Sequence, residues 1–262
     1  MSENFFLDGM KLNVERSGPP DGHPVLLLHG NGASWNAWAL NLNHLGPDWL
    51  ALAPDLPGFG ESDAPDRFYS IPDFARLLWK LVEGKRPVLV GNSLGSLIAF
   101  EMAAQGEAAG LMLVAAPACV PDEMDPQLAR LITWFDPAGV PQIPNLDELS
   151  RVTINADERV LALANANMTR ARGFLPALPA IWNYRWESRA SQIRCPVCLV
   201  WGEQDGLVSR SHLERWQKAI PQAQTVTLAR AAHGPQFDDP EGFNQALLAF
   251  LSEVRLAGRA GG

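Results

Sequence analysis

Pro87-Val88-Leu89-Val90-Gly91-Asn92-Ser93-Leu94-Gly95-Ser96-Leu97-Ile98-Ala99-Phe100 is the stretch whose reading decides the fold. Its first half is short, apolar and β-branched, the pattern of a strand buried on both faces. Its second half places Leu94, Leu97, Ile98 and Met102 at helical spacing, with Glu101 and Gln105 left for water. Between the two sits Gly91-x-Ser93-x-Gly95. A Gly-x-Ser-x-Gly joining a strand to a helix is the sharp turn on which a nucleophilic serine is presented, and the serine itself sits in a strained backbone conformation. The flanking glycines let strand and helix fold back on each other without a side-chain collision. The helix N-terminus then aims its free N–H groups at the space above Ser93.

Working outward, the same strand–helix alternation recurs on both sides. Phe5–Leu7, Asp8-Gly9 and Met10–Arg16 read as a β-hairpin with a tight turn. Pro24–Leu28 is a buried strand ending at His29-Gly30-Asn31-Gly32, Trp35–Leu45 is helical, and Trp49–Ala53 is a strand leading into the loop Pro54–Ser62. Asp73 caps a helix that runs to about Glu83, and Gly110–Val114 is the strand after the central one. From Ala118 to Ala190 the strand signal disappears and Pro-broken helical pieces take over: Asp125–Phe135, Leu146–Ile154, Asp157–Arg172 and Leu178–Trp186. Alternation then resumes with strand Val197–Trp201, helix Ser209–Ile220, strand Gln224–Leu228 and helix Glu241–Leu256. The organisation is an α/β core, residues 1–117 and 191–262, around an all-helical cap at residues 118–190. The core sheet is expected to be mostly parallel with helices on both faces.

Composition narrows the function. Of 262 residues 47% are hydrophobic and 19% charged, which suits a soluble globular chain. A formal charge of −8 argues against nucleic acid as a partner. No apolar run approaches the ~18 residues of a membrane span, so no membrane partner is expected. The N-terminus has neither a basic nor an apolar leader region, which points to the cytoplasm, and three cysteines suit a reducing compartment. Cys195-Pro-Val-Cys198 runs into a strand instead of opening a helix, and has no second cysteine pair to complete a zinc site; its reading is structural. Gly30-x-Gly32-x-x-Trp35 has a tryptophan where a dinucleotide fingerprint needs its third glycine. No metal and no cofactor are expected. The partner is a small-molecule substrate, and the oligomeric state is not legible.

A serine nucleophile needs a base, and five histidines are available. His29 follows a strand directly, His23 precedes it, His44 lies near a helix end, and His212 sits in a helical pattern where a solvated role is expected. His233 lies on the loop after the last strand, and ligands of open α/β sheets bind at the carboxyl ends of strands. The end of the preceding strand, Trp201-Gly202-Glu203-Gln204-Asp205, supplies a carboxylate to orient the imidazole; Asp205 and Glu203 both qualify. The glycines of His29-Gly30-Asn31-Gly32 let backbone N–H groups approach a developing oxyanion. The chain order is serine, acid, histidine.

These pieces, with Asp55-Leu56-Pro57-Gly58-Phe59-Gly60-Glu61-Ser62, resemble the α/β-hydrolase superfamily over nearly the whole chain. The resemblance implies Ser93 as nucleophile, His233 as base, Asp205 as acid, and the N–H groups of Asn31 and Leu94 as the oxyanion hole. It gives the loop at Asp55 an ordering role and no chemistry. Gly91-Asn92-Ser93 is similar to the carbon–carbon hydrolases of meta-ring-fission products, but Ser96 stands where they usually carry a second glycine, and Gly234 where tryptophan often follows the histidine. The expected activity is ester or lactone hydrolysis through an acyl-enzyme on Ser93, with a carbon–carbon hydrolase and a slow hydrolase-fold receptor as alternatives. The apolar cap sequence predicts a small to medium, largely apolar substrate, with Trp134 and Trp182 as candidate substrate contacts. The cap also carries Arg130, Arg151, Arg159, Arg170, Arg172, Arg185 and Arg189, any of which could receive a substrate carboxylate.

Overall fold

A computed structural model of the protein describes residues 2–67, 69–120 and 125–260. The three segments read from the sequence therefore include residues outside the described ones: 1 and 68 in the first, 121–124 in the second, and 261–262 in the third. Strands β1 (Ser2–Leu7), β2 (Met10–Ser17), β3 (His23–Leu28), β4 (Trp49–Pro54), β5 (Val88–Asn92), β6 (Gly110–Val114), β7 (Val197–Gly202) and β8 (Gln224–Leu228) form one sheet in the order β1-β2-β4-β3-β5-β6-β7-β8. The pairs β1–β2 and β2–β4 are antiparallel and all others parallel. Helices α1 (Ile71–Trp79) and α2 (Leu94–Gln105) belong to the first half. Between β6 and β7 lie α3 (Pro126–Ala129), α4 (Leu146–Leu149), α5 (Glu158–Met168) and α6 (Phe174–Trp182). Helices α7 (Arg210–Ala219), α8 (Pro235–Asp238) and α9 (Pro240–Ala260) complete the chain.

Burial of the central strands on both faces explains their unbroken apolar runs. Alternate residues separate cleanly: Leu26, Leu28 and Leu89 pack with α1, α2 and α7, while Val25, Leu27, Val88 and Val90 pack with α9 and the turn at Trp38. The strand order also places the site. From β3 the chain moves outward to β4, then returns to lay β5 on the opposite side of β3. The carboxyl ends of β3 and β5 thus flank the point where the winding reverses, the place where open α/β sheets leave a crevice. Their register sets Leu28 beside Gly91, so the His29–Gly32 loop and Ser93 emerge side by side.

Several local expectations need correction. Trp35–Leu45 is not one helix but two 3-10 turns, Trp35–Trp38 and Leu42–His44. Tertiary bonds compete with the helix there: Asp55 Oδ1 takes the Trp35 N–H at 2.7 Å, and buried Asn41 donates to Asn244 at 2.8 Å. Ser70, not Asp73, is the N-cap of α1; Asp73 is the reciprocal member of a capping box. The last α-helix of the β6–β7 segment runs over Phe174–Trp182 instead of Leu178–Trp186; Pro176 falls in its first turn, where a missing N–H does no harm, and a 3-10 helix, Glu187–Gln192, follows it.

Two residues assigned to water are buried instead. His212 is 1% exposed; its Nδ1 accepts the Ala118 N–H at 2.8 Å and its Nε2 lies 2.9 Å from Asp125 Oδ2. Glu101, also 1% exposed, accepts from the Tyr184 hydroxyl and pairs with Arg189 at 2.7 Å. Both side chains fasten an end of the helical segment to the core, which is why each tolerates burial.

Candidate active site

Ser93 adopts φ 53° and ψ −116° between β5 and α2. Such a backbone costs about 1–3 kcal/mol for a residue with a Cβ, so its neighbours must impose it. They do: a Cβ on Gly91 would stand 2.1 Å from the Gly95 carbonyl oxygen, and one on Gly95 2.2 Å from that of Leu28. Only glycine at both positions lets α2 close on β5 and β3.

The two expected oxyanion donors share one design. The Ser93 carbonyl accepts from the Ser96 N–H at 2.9 Å and from the Ser96 hydroxyl, which fixes the Ser93–Leu94 peptide. The Gly30 carbonyl is held by His29 Nδ1 at 2.8 Å and by the Ala33 N–H at 3.2 Å, which fixes the Gly30–Asn31 peptide. In a planar trans peptide the N–H points opposite to the C=O. Pinning each carbonyl therefore sets the direction of the Leu94 and Asn31 N–H groups. Ser96 thereby has a visible task, holding the Ser93 carbonyl.

His29 is part of this support. Its Nε2 accepts the Leu56 N–H at 2.9 Å, so Nδ1 carries the proton and donates to Gly30. Burial pushes its imidazole below the ordinary value, against the pull of Asp55, and keeps it neutral. Asp55 is occupied structurally: its carboxylate accepts from Trp35, Asn13 and Glu61, at 2.7, 2.9 and 3.0 Å.

At the end of β7, Asp205 Oδ1 accepts the N–H groups of Leu207 and Val208, both at 2.8 Å, and Oδ2 lies 2.9 Å from His233 Nδ1. Glu203 is exposed. With Nδ1 taken by the carboxylate, Nε2 is the imidazole nitrogen left for proton transfer. Asn92, beside the serine, donates to the His233 carbonyl at 3.0 Å and ties the histidine loop to the elbow. A polar side chain at the end of an otherwise apolar strand was the signal for that role.

Ser93 and His233 line the same cavity of about 460 Å³, with Asn31 in its wall. Its apolar wall includes Leu131, Trp134, Ile143, Met168, Phe174 and Leu207. Leu163 and Phe237, 60% and 42% exposed, mark where it opens. Trp134 lies on the wall, with its indole N–H donated to Glu148 at 3.1 Å. Trp182 is not among the lining residues; it packs half-buried against the core. Among the described residues no Asp, Glu, Lys or Arg lines the cavity. The seven arginines of the helical segment lie elsewhere; among their ion pairs are those of Arg130 and Arg151 with Glu148, Arg170 with Glu61, and Arg189 with Glu101. Cys119, Cys195 and Cys198 are unbonded, and burial pushes their thiols up to about 12, 11 and 12.

A model of the alpha/beta hydrolase family matches residues 25–246, and the chain belongs to that family. Among curated proteins it is 28% identical over 258 residues to the dihydrolipoyllysine-residue acetyltransferase component of an acetoin cleaving system from Pseudomonas putida, covering 89% of this chain and 65% of that one. It is 26% identical over 276 residues to a 2-hydroxy-6-oxononadienedioate/2-hydroxy-6-oxononatrienedioate hydrolase from Paraburkholderia phymatum, covering 95% and 94%. Among solved structures a thermophilic esterase from Thermogutta terrifontis superimposes with a TM-score of 0.81 at 24% identity, covering 97% of this chain and 99% of that one. Among the described residues no helix is long and apolar enough to cross a membrane.

Proposed function

We propose that the protein is a cofactor-free serine hydrolase that cleaves an uncharged, largely apolar ester or lactone. One observation carries this reading: a serine on a strained elbow and a carboxylate-held imidazole share a cavity whose wall, among the described residues, holds no Asp, Glu, Lys or Arg. Ser93 Oγ attacks the substrate carbonyl while its proton passes to His233 Nε2. The tetrahedral oxyanion is met by the N–H groups of Asn31 and Leu94, and Asp205 stabilises the imidazolium. Collapse breaks the bond to the leaving oxygen, which takes the proton from His233. Water, deprotonated by His233, then attacks the acyl-enzyme; the acid leaves and Ser93 regains its proton.

The uncharged wall weighs against the carbon–carbon alternative. The Paraburkholderia relative is named for dioate substrates, and a carboxylate buried against apolar groups without a cation is strongly unfavourable. Three unbonded thiols suit a reducing compartment, so the cytoplasm is the proposed place of action.

The test is a p-nitrophenyl ester series from acetate to hexanoate, with an adipate half-ester as the charged counterpart of the longest. Each methylene seated in the cavity should contribute ~0.8 kcal/mol, about fourfold in kcat/KM. The carboxylate-ended ester should fall well below hexanoate. A flat or falling series, or preference for the charged ester, would contradict an apolar uncharged site. A single burst without turnover would favour a binding protein on this fold.

A further inference from the structure

Asp238, five positions beyond His233 at the end of α8, holds two parts of the molecule at once. Its Oδ2 accepts the Ala232 N–H at 2.8 Å, immediately before the histidine. Its Oδ1 collects donors from the helical segment: the Thr153 hydroxyl, the Ile154 N–H at 3.2 Å and the Asn155 side chain at 3.4 Å. Thr153 also lines the cavity. On the far side of His233, its carbonyl is held by Asn92 at 3.0 Å, so the histidine backbone is clamped before and after. The same stretch reaches the acid loop, where Gly206 N–H donates to the Arg151 carbonyl at 3.1 Å.

We propose that Asp238 is a positioning residue that couples the seating of the cap over the cavity to the alignment of His233. The proposal rests on the reading of His233 as the base. The chemistry requires a carboxylate: all four partners are donors, divided between two acceptor oxygens. An amide of the same shape offers one acceptor, and can serve the cap or Ala232 but not both. Loss of either bond leaves a backbone or side-chain donor without its acceptor and frees the histidine loop from the segment above it.

The full chain carrying Asp238→Asn, with active sites counted by fluorophosphonate titration, gives the direct test. Both kcat and kcat/KM should fall together by roughly ten- to a hundred-fold, as for a base displaced by a fraction of an ångström, with KM nearly unchanged. Hydrogen exchange at the Ala232 amide should speed up in parallel. Thr153→Val removes one donor on the cap side and leaves the triad side chains alone. It should lower kcat by roughly threefold, within the worth of one hydrogen bond, and also speed exchange at Ala232. Wild-type kcat per titrated serine in Asp238→Asn, with only a lower Tm, would overturn the proposal and leave Asp238 a purely structural residue. If Asp238→Asn does not fold, unchanged kcat and unchanged Ala232 exchange in Thr153→Val would overturn it equally. The exchange measurement needs no substrate, so failure here is distinct from failure of the hydrolase reading.

Discussion

The sheet core and the helical segment between β6 and β7 solve the same burial problem by different means. In the core, each strand is completed by its neighbours' backbone hydrogen bonds, and its side chains divide by parity between two apolar layers. Geometry there is dictated locally: two glycines force the elbow, register sets the His29–Gly32 loop beside it, and the loops after β7 and β8 carry Asp205 and His233. The helical segment has short helices and, among the described residues, one isolated β-bridge between Phe135 and Pro141 in place of a ladder, and its ends depend on buried polar contacts with the core at His212 and Glu101. Under the proposed function, the core sets the chemistry through backbone shape, and the segment sets the substrate through side chains held by a few polar attachments.

The largest effect should come from the core. Asp205→Asn keeps the size of the side chain and an acceptor for Leu207 and Val208, but no longer holds His233 in the correct tautomer. The serine protease precedent for this change is a loss of about four decades in rate. Tm should move little, since no packing is lost. Glu203→Gln, at an exposed position, should change kcat/KM by less than about twofold. The opposite ranking of the two variants would transfer the acid role to Glu203 and break the contrast between the two strand-end carboxylates.

The helical segment should show the reverse profile, stability before rate. Glu101→Ala leaves the Tyr184 hydroxyl and the partly exposed Arg189 without their buried acceptor, at about 3 kcal/mol, the low end for breaking a buried pair. For a chain of this size that is roughly 6–12 °C in Tm by calorimetry. Turnover of acetate esters by the folded fraction should hardly change, because Glu101 contacts neither the cavity nor the triad. A large kcat loss with an unchanged Tm would show that the two regions are not separable in this way.

The same contrast explains what the sequence made legible. Parallel strands announce themselves as unbroken apolar runs, and Gly91-x-Ser93-x-Gly95 has few backbone solutions, so the sheet, Ser93, His233 and the candidates at 203 and 205 could be read residue by residue. Spacing alone suits both carboxylates; the resemblance singles out Asp205, and it is the Asp205 carboxylate that lies 2.9 Å from His233 Nδ1. The helical segment was legible only as helical. Apolar residues at helical spacing do not say whether they face the core or the cavity, which is why Trp134 lies on the wall and Trp182 does not. Burial of a charge is still less legible: Glu101 and His212 fall at polar positions of helical patterns, and only the partners brought by distant segments take them out of water. Asp238 is the extreme case, since its four donors come from two separate stretches of chain.

The most direct test of the central claim is covalent. Incubation of the protein with a fluorophosphonate, followed by peptide mass spectrometry, should find a single adduct, on Ser93, formed in step with loss of esterase activity and absent from Ser93→Ala. Modification of a different serine, or ester hydrolysis by Ser93→Ala at the wild-type rate, would contradict the assignment of Ser93 as the nucleophile.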